Sequence, residues 1–433
     1  MSMAIRTAWV LVAVMGSLWA QDQRIAWVGA HLIPVDGKEI PDGTLIIQGG
    51  RIESLGPRES TPLPPGTEAR PGTGLVIMPG LICTHSHVGG GSGGDQSGPI
   101  QPEVRILDSI NVRDAGFPKA RAGGLTMINV MPGSGHLCSG QTVTLKLRLR
   151  NTIDELVVKN ADGSISTGLK MANGTNSQGR PGFPGTRGKS AALMRQKLLA
   201  AKQYRDEQAA AEEGKTKPKD LALETLSEVL SGTRLVHHHT HRHDDVLTVL
   251  RISKEFGFPV VLHHVSDAWM VADEIAKSGA PCSIILLDSP GGKLEAKDLD
   301  WKSAAALEKA GVLTAFHTDD PITDSRLFLR SAAFAVRGGM TREGALMGLT
   351  SAGAKILGVD HRVGTLTPGK DADLAVLNGD PLSIYTRVVE TWVEGSPVFR
   401  YDDPKDRLYA EGGYGASTPQ AFYMCCYDTW EAR

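Results

Sequence analysis

Residues 80–87 read Gly-Leu-Ile-Cys-Thr-His-Ser-His, an apolar run that closes on His85 and His87. On a β-strand residues i and i+2 share a face, so the two imidazoles point the same way and can reach one metal ion. Ligand-type residues recur downstream in Val236-His237-His238-His239-Thr240-His241-Arg242-His243, in His263-His264 and in Asp319-Asp320-Pro321. Imidazole nitrogens with a carboxylate suit a divalent cation, and Asp319, at the end of the last strand, is where a catalytic base would sit. Strand alternation limits each cluster. His237, His239 and His241 share one face and His238 the other, while at most one of His263 and His264 is expected to point inward. The bland alternatives are a His tract that binds metal adventitiously at the surface and an Asp319 that caps a turn. Cys83 shares a strand face with His85, so it is either a further ligand or a small buried hydrophobe.

The elements that must position these groups can be read from patterning. Between residues 24 and 78, short runs at Ile25 to Val28, Leu45 to Gln48, Arg51 to Leu55 and Leu75 to Met78 are separated by Asp36-Gly37, Gly49-Gly50 and a Pro-rich patch, which are strand and turn signals. Asp373 to Leu377 and Val388 to Val393 repeat the style near the other end. From residue 235 the pattern changes to alternating strand and helix. Leu235 to His241 is strand, Asp244 caps a helix to Phe256 stopped by Gly257, and Phe258 to His264 is strand. Asp267 then caps a helix through Lys277 stopped by Gly279, Cys282 to Leu287 is strand, Leu299 to Ala310 helix and Val312 to His317 strand. Repeated βα units predict a parallel sheet, and several in series predict an α/β fold of the (β/α)8 TIM-barrel type. His239, His264 and Asp319 then fall at the C-terminal ends of strands, the face where such barrels carry their chemistry.

With 433 residues and 41% hydrophobic content, the chain is long enough for a large barrel or two domains. A net charge of −2 gives no sign of a nucleic-acid surface. Five cysteines, an odd number scattered along the chain, do not make a disulfide framework. Met1 to Arg6 carries positive charge, Thr7 to Ala20 is almost wholly apolar and Gln21-Asp22-Gln23 follows, the layout of a secretory signal peptide. The expectation is an exported protein, periplasmic or secreted, with no stable membrane insertion after cleavage. Gly89 to Gly98 lacks the Lys-Ser/Thr ending of a phosphate loop and reads as a flexible lid. Residues 188–230 read as one or two charged helices broken at Gly214 to Lys219, an outer insertion. Cys425-Cys426 suggest no function.

Together, Val76-Ile77-Met78-Pro79-Gly80-Leu81-Ile82 with His85-Ser86-His87, then His239, His264, Asp319 and Gly364 to Asp373 (GTLTPGKDAD), resemble the metal-dependent amidohydrolase superfamily, closest to its imidazolonepropionase-like and prolidase-like branch. The resemblance runs from about residue 25 to 400. It implies a (β/α)8 barrel over 79–360 and a small composite β-sandwich from residues 21–78 and 361–400, between a signal peptide at 1–20 and a tail at 401–433. It implies His85, His87, His239, His264 and Asp319 as ligands of a divalent metal, zinc by preference, as one ion or two. Asp319 would also take a proton from water and deliver it to the leaving nitrogen. A two-ion site needs a bridging group from the fourth strand, a carboxylated Lys or a Glu, for which Lys170 is the candidate, and His136 and His241 are candidate substrate contacts. Three departures stand out: Cys83 replaces an Asp common in the family, the bridging position has only Lys170 as its candidate, and Gly174-Thr175-Asn176 lacks an acidic residue that relatives often carry. The implied activity is hydrolysis of a C–N bond in an amide, small peptide or cyclic amide, with a small-molecule or short-peptide substrate, no nucleic-acid partner and scope for a homo-oligomer. The alternatives are deamination of a nitrogen heterocycle and a non-catalytic metal-binding relic.

Overall fold

The structure is a computed structural model, and it describes residues 23–90, 94–179, 182–210, 218–286 and 293–412. The signal segment, Cys425-Cys426, the Gly214 to Lys219 break up to residue 217 and part of the Gly89 to Gly98 run lie outside the described residues.

Strands β1 (Ile25–Leu32), β2 (Ile40–Gln48), β3 (Arg51–Pro57), β4 (Glu68–Pro71) and β5 (Val76–Pro79) open the chain. The middle contributes β6 (Leu81–Ser86), β7 (Leu125–Val130), β8 (Cys138–Gln141), β9 (Val143–Lys146), β10 (Gly168–Ala172), β11 (Leu235–Thr240), β12 (Val260–His264), β13 (Cys282–Ile284) and β14 (Thr314–Phe316). The described residues end with β15 (Leu374–Leu377), β16 (Val388–Val393), β17 (Ser396–Arg400) and an exposed helix, Pro404–Glu411. Strands from both ends build one eight-stranded mixed sheet ordered β17-β16-β15-β5-β1-β2-β3, with β4 pairing β1. Its seam is the antiparallel pair β5–β15, where Ile77 faces Val376. Trp27, Leu45, Ile77, Leu374 and Trp392 form a separate core there, and the two indoles meet edge to face at 5.0 Å.

Only one residue, Gly80, joins β5 to β6. A Cβ at Gly80 would fall 2.2 Å from Thr126 Cγ2 on β7, so no larger residue fits the close approach of the two sheets. In the middle region β10, β11, β12, β13 and β14 are parallel neighbours, and β6 runs parallel to β7. Just past β14, Asp319 N donates to His85 O on β6 at 3.0 Å, and the hydroxyls of Thr84 on β6 and Ser283 on β13 are 2.6 Å apart. The helices His243–Phe256 and Ala268–Ser278 stop at Gly257 and Gly279, both left-handed with φ of 75° and 73°. This is the conformation for which a C-terminal glycine is suited. The N-terminal expectations need adjustment. Arg242, not Asp244, precedes the first helix, and the Asp267 carboxylate accepts from His243 N instead of capping its own helix. The helix Arg187–Ala209 is not merely an outer appendage, because Met194, Leu198 and Ala201 are buried.

Candidate metal centre

The site gathers where parallel strands end. β6 carries His85 and leads into His87; β11 carries His239 and leads into His241; β12 ends at His264; β14 is followed by His317 and Asp319. Among the described residues three groups have ligand atoms all within 4.8 Å of one another: His85 with His87 and Asp319, His239 with His241 and His264, and His85 with His263 and His317. Asp319 Oδ1 lies 3.1 Å from His85 Nε2 and 2.9 Å from His87 Nε2, and Oδ2 lies 3.9 Å from His264 Nε2. The rings of His239 and His264 are 4.2 Å apart, those of His241 and His264 5.0 Å.

The expectation that only one of His263 and His264 faces inward is corrected here. His264 takes φ of 70° and Val265 φ of 45°, which breaks the two-residue alternation. His263 therefore packs on His85 at 5.0 Å while His264 packs on His239 and His241. Asp319 also has positive φ, 50°. Left-handed backbone at non-glycine residues costs of order 1–3 kcal/mol each, and such positions cluster where a site requires a side chain to be aimed.

Hydrogen bonds behind the imidazoles set their orientation. His87 Nδ1 donates to Met131 O at 2.7 Å, which leaves its Nε2 lone pair facing Asp319 and His85. His239 Nδ1 meets the Ser134 hydroxyl at 2.9 Å and His241 Nδ1 the Ser266 hydroxyl at 2.8 Å. Such outer partners fix tautomer and ring orientation in metal sites. Burial pushes the imidazoles of His85, His239, His241 and His264 well below the ordinary histidine range, aided by Lys170 at His85, His264 at His239 and Lys293 at His241. They are neutral, with lone pairs available. Burial alone would raise Asp319, but charge and hydrogen bonding from the His85, His87 and His264 side hold its carboxyl well below the usual range; with those rings neutral, a cation among them would supply that charge and keep Asp319 ionised.

These residues fit a divalent cation. Both carboxylate oxygens of Asp319 and the Nε2 atoms of His239 and His264 are buried without a well-directed hydrogen bond, although they face one another at short range. Acceptors that converge without intervening protons are mutually repulsive unless a cation sits among them.

Lys170 enters the same cluster from β10. Its Nζ lies 3.0 Å from His85 Nε2 and 3.2 Å from Met131 Sδ. His241, read from sequence as a substrate contact, stands in a ligand group with its Nε2 3.1 Å from Lys293 Nζ. His136 is buried near the site, two residues after Ser134, with Asp95 facing it and its ring 5.3 Å from that of Phe183; among the described residues neither ring nitrogen has a well-directed hydrogen bond. Cys83 belongs to none of the ligand groups. Its thiol donates to His85 O at 3.1 Å and lies 3.3 Å from the Thr318 hydroxyl, and burial pushes it up to about 11. The acidic group missing near Thr175 arrives from elsewhere: Glu295 Oε2 accepts from Thr175 N at 2.7 Å and from Arg187 at 3.1 Å. The sequence places His237 and His263 on strands without a role, and His317 is absent from the expected site residues. The signal for His317 was available, since it lies two residues before Asp319 at the end of the same strand.

Comparisons with known proteins agree with this geometry. Residues 185–399 match the sequence model of the Amidohydrolase family. The chain is 27% identical over 363 residues to the amidohydrolase tasK of Hapsidospora irregularis, covering 76% of this chain but spanning only 37% of that protein. It is 25% identical over 414 residues to the imidazolonepropionase of Stenotrophomonas maltophilia, covering 84% of this chain and 93% of that one. Among solved structures, an amidohydrolase from Thermotoga maritima is 33% identical, with a TM-score of 0.81 over 87% of this chain and all of that chain (100%).

Proposed function

The chain belongs to the amidohydrolase family, hydrolases of carbon–nitrogen bonds, and from that premise we propose that it is exported and cleaves an amide, small-peptide or cyclic-amide bond with water. The observation that carries this reading is the ionised, buried Asp319 set among His85, His87 and His264 where parallel strands end. His85, His87 and Asp319 would hold one divalent cation, and His239, His241 and His264 a second, and Lys170, its Nζ 3.0 Å from His85, would serve as the bridging group once carboxylated by carbon dioxide. Zinc is the proposed metal. Bound there, such an ion supplies Lewis acidity that brings the pKa of a water molecule to around 7. Asp319 accepts the proton at a carboxylate oxygen and passes it to the departing nitrogen. His136, two residues past the Ser134 that orients His239, and without a well-directed side-chain hydrogen bond among the described residues, supports a substrate contact.

The same reading closes the two middle sheets into a (β/α)8 barrel over 79–360, supported by the contact of Asp319 N, just past β14, with His85 O on β6 and by the Thr84–Ser283 contact between β6 and β13. The strands of 21–78 and 361–400 would form the composite β-sandwich, supported by their shared sheet and separate core. Export rests on the charged and apolar opening of residues 1–20.

The test is elemental analysis of the purified protein together with hydrolysis of a panel of dipeptides, N-acyl amino acids and cyclic amides. Activity lost on chelation and restored by zinc or cobalt is expected. A metal-free protein, or one that holds metal and turns over no C–N substrate, contradicts the reading. Intact mass after expression in a secreting host is expected to lack residues 1–20.

A further inference from the structure

Beneath the ligand set lie three imidazoles whose meeting the proposed reaction does not use. His85, His263 and His317 are each 0% exposed, and one ring nitrogen from each lies within 4.8 Å of the other two. His85 Nδ1, His263 Nδ1 and His317 Nε2 have no hydrogen-bond partner among the described residues. The opposite nitrogen of each is engaged: His85 Nε2 with Asp319 at 3.1 Å, His263 Nε2 with His237 Nδ1 at 2.9 Å, His317 Nδ1 with the Ser283 hydroxyl at 2.8 Å.

The hydroxyl chain behind His317 favours one tautomer. Thr84 Oγ1 reaches Phe316 O at 3.3 Å, and with its proton given there it accepts from Ser283 Oγ, 2.6 Å away. Ser283 has then given its proton to Thr84 and accepts from His317 Nδ1. His317 Nε2 is left with a lone pair aimed into the three-imidazole cluster. His85 presents the opposite sense. A neutral imidazole has one lone pair, and if His85 offers it to a cation through Nε2, its proton sits on Nδ1. Ligating histidines nearly always donate that second N–H to an acceptor. No direct hydrogen bond joins His85 Nδ1 to His317 Nε2. Two hydrogen bonds of about 2.8 Å meeting at a tetrahedral angle span about 4.6 Å, a length that falls inside the 4.8 Å limit within which these three rings each bring a nitrogen. A buried water with three polar partners is a normal element of protein interiors. A third cation fits worse, because His85 has no second lone pair to offer.

We propose that a single internal water binds among His85 Nδ1, His263 Nδ1 and His317 Nε2, and that His317 is thereby a positioning residue that keeps the Nε2 lone pair of His85 turned to the metal. This rests on the reading of His85 as a ligand. The comparison uses the metal-loaded protein, wild type against His317→Phe and His317→Gln, with His87→Ala as the control for the centre itself. His317→Phe keeps the ring and removes the acceptor; His317→Gln returns an acceptor near the Nε2 position. Metal affinity is read by chelator competition, ligand geometry by the visible spectrum of the cobalt form, and folding by the melting midpoint of the metal-free proteins.

The expected result is a 10- to 100-fold weaker metal affinity and an altered cobalt spectrum in His317→Phe, largely recovered in His317→Gln, with metal-free melting midpoints close to wild type. Should His317→Phe fail to fold, Ser283→Ala, which removes the acceptor that sets the tautomer, is expected to move affinity and spectrum in the same direction. Wild-type affinity and spectrum in His317→Phe or Ser283→Ala, alongside metal loss in His87→Ala, overturn the water-linked platform and leave the centre standing. Loss in His317→Phe of one whole metal equivalent that His87→Ala retains overturns the water in favour of a cation. A wild-type protein that binds no metal removes both readings.

Discussion

Asp319 concentrates the chemistry at the scale of single residues. It is 1% exposed, ionised, within 3.1 Å of two imidazoles, and aimed by a backbone φ of 50°. Asp319→Asn keeps the shape and one oxygen for the cation but cannot accept a proton. The expected outcome is a protein that still carries metal while kcat falls by roughly 10²–10⁴, measured by turnover and elemental analysis on one preparation. Near-normal turnover would remove Asp319 from the role of base. His85, His87, His239, His264 and Asp319 were legible in the sequence because strand ends can be read from hydrophobic runs. His263 was not, because its inward aim depends on the left-handed turn at His264 and Val265, which β-branched Val265 does not advertise. Nor was the Glu295 contact to Thr175, which links residues 120 positions apart.

Among the elements, the join between β5 and β6 carries the tightest requirement. Gly80 N donates to Asp373 O at 2.8 Å, while its Cα hydrogens face Thr126 so closely that a methyl group would sit 2.2 Å from Cγ2. Gly80→Ala must therefore push β6 away from β7, and overpacking of this kind costs about 1–3 kcal/mol. A lowered thermal midpoint is expected, and because β6 carries His85, metal affinity should fall with it. A melting curve superimposable on wild type would show that the sheets are not held at this distance. Helix ends were well read, since Gly257 and Gly279 stop their helices as expected. Helix starts and strand lengths were less so: β13 covers Cys282–Ile284 and β14 Thr314–Phe316, shorter than the apolar runs that encode them. An apolar run marks what is buried, and burial continues past the last ladder hydrogen bond.

For the molecule as a whole, the two sheet systems are clipped together by a buried charge cluster. Lys146 on β9, 0% exposed, reaches Asp371 at 2.6 Å, Asp373 at 3.1 Å and Glu394 at 3.2 Å, and Arg148 grips Glu394 with two contacts of 2.7 Å. Burial opposes the charge on Glu394, but Arg148 and Lys146 overcome it and bring its carboxyl down to about 2. Asp373 moves the other way, raised by complete burial in spite of Lys146, so the net gain of the cluster is smaller than Glu394 alone suggests. A depressed carboxyl stabilises the fold at pH values above its unfolded pKa near 4.5, and that stability is lost as pH falls through the folded value near 2. The shift corresponds to at most about 3 kcal/mol. Glu394→Gln should therefore be less stable than wild type at pH 6–7 in urea melts, and the gap should close between about pH 4.5 and 2. A gap that stays constant with pH would mean that Glu394 acts through packing alone.

The sequence by itself determined the α/β class, the two β-rich ends around a βα middle, the family and five of the strand-end ligand candidates. Each depends on local patterning: alternation within a strand, a glycine past a helix, a histidine where an apolar run stops. Tertiary structure alone decided that both His263 and His264 face the interior, that His241 joins His239 and His264, that Cys83 holds backbone and not a ligand position, and that Lys170 lies beside His85. These are contacts between strands far apart in the chain, set by backbone handedness and sheet register, and no short window of residues encodes either.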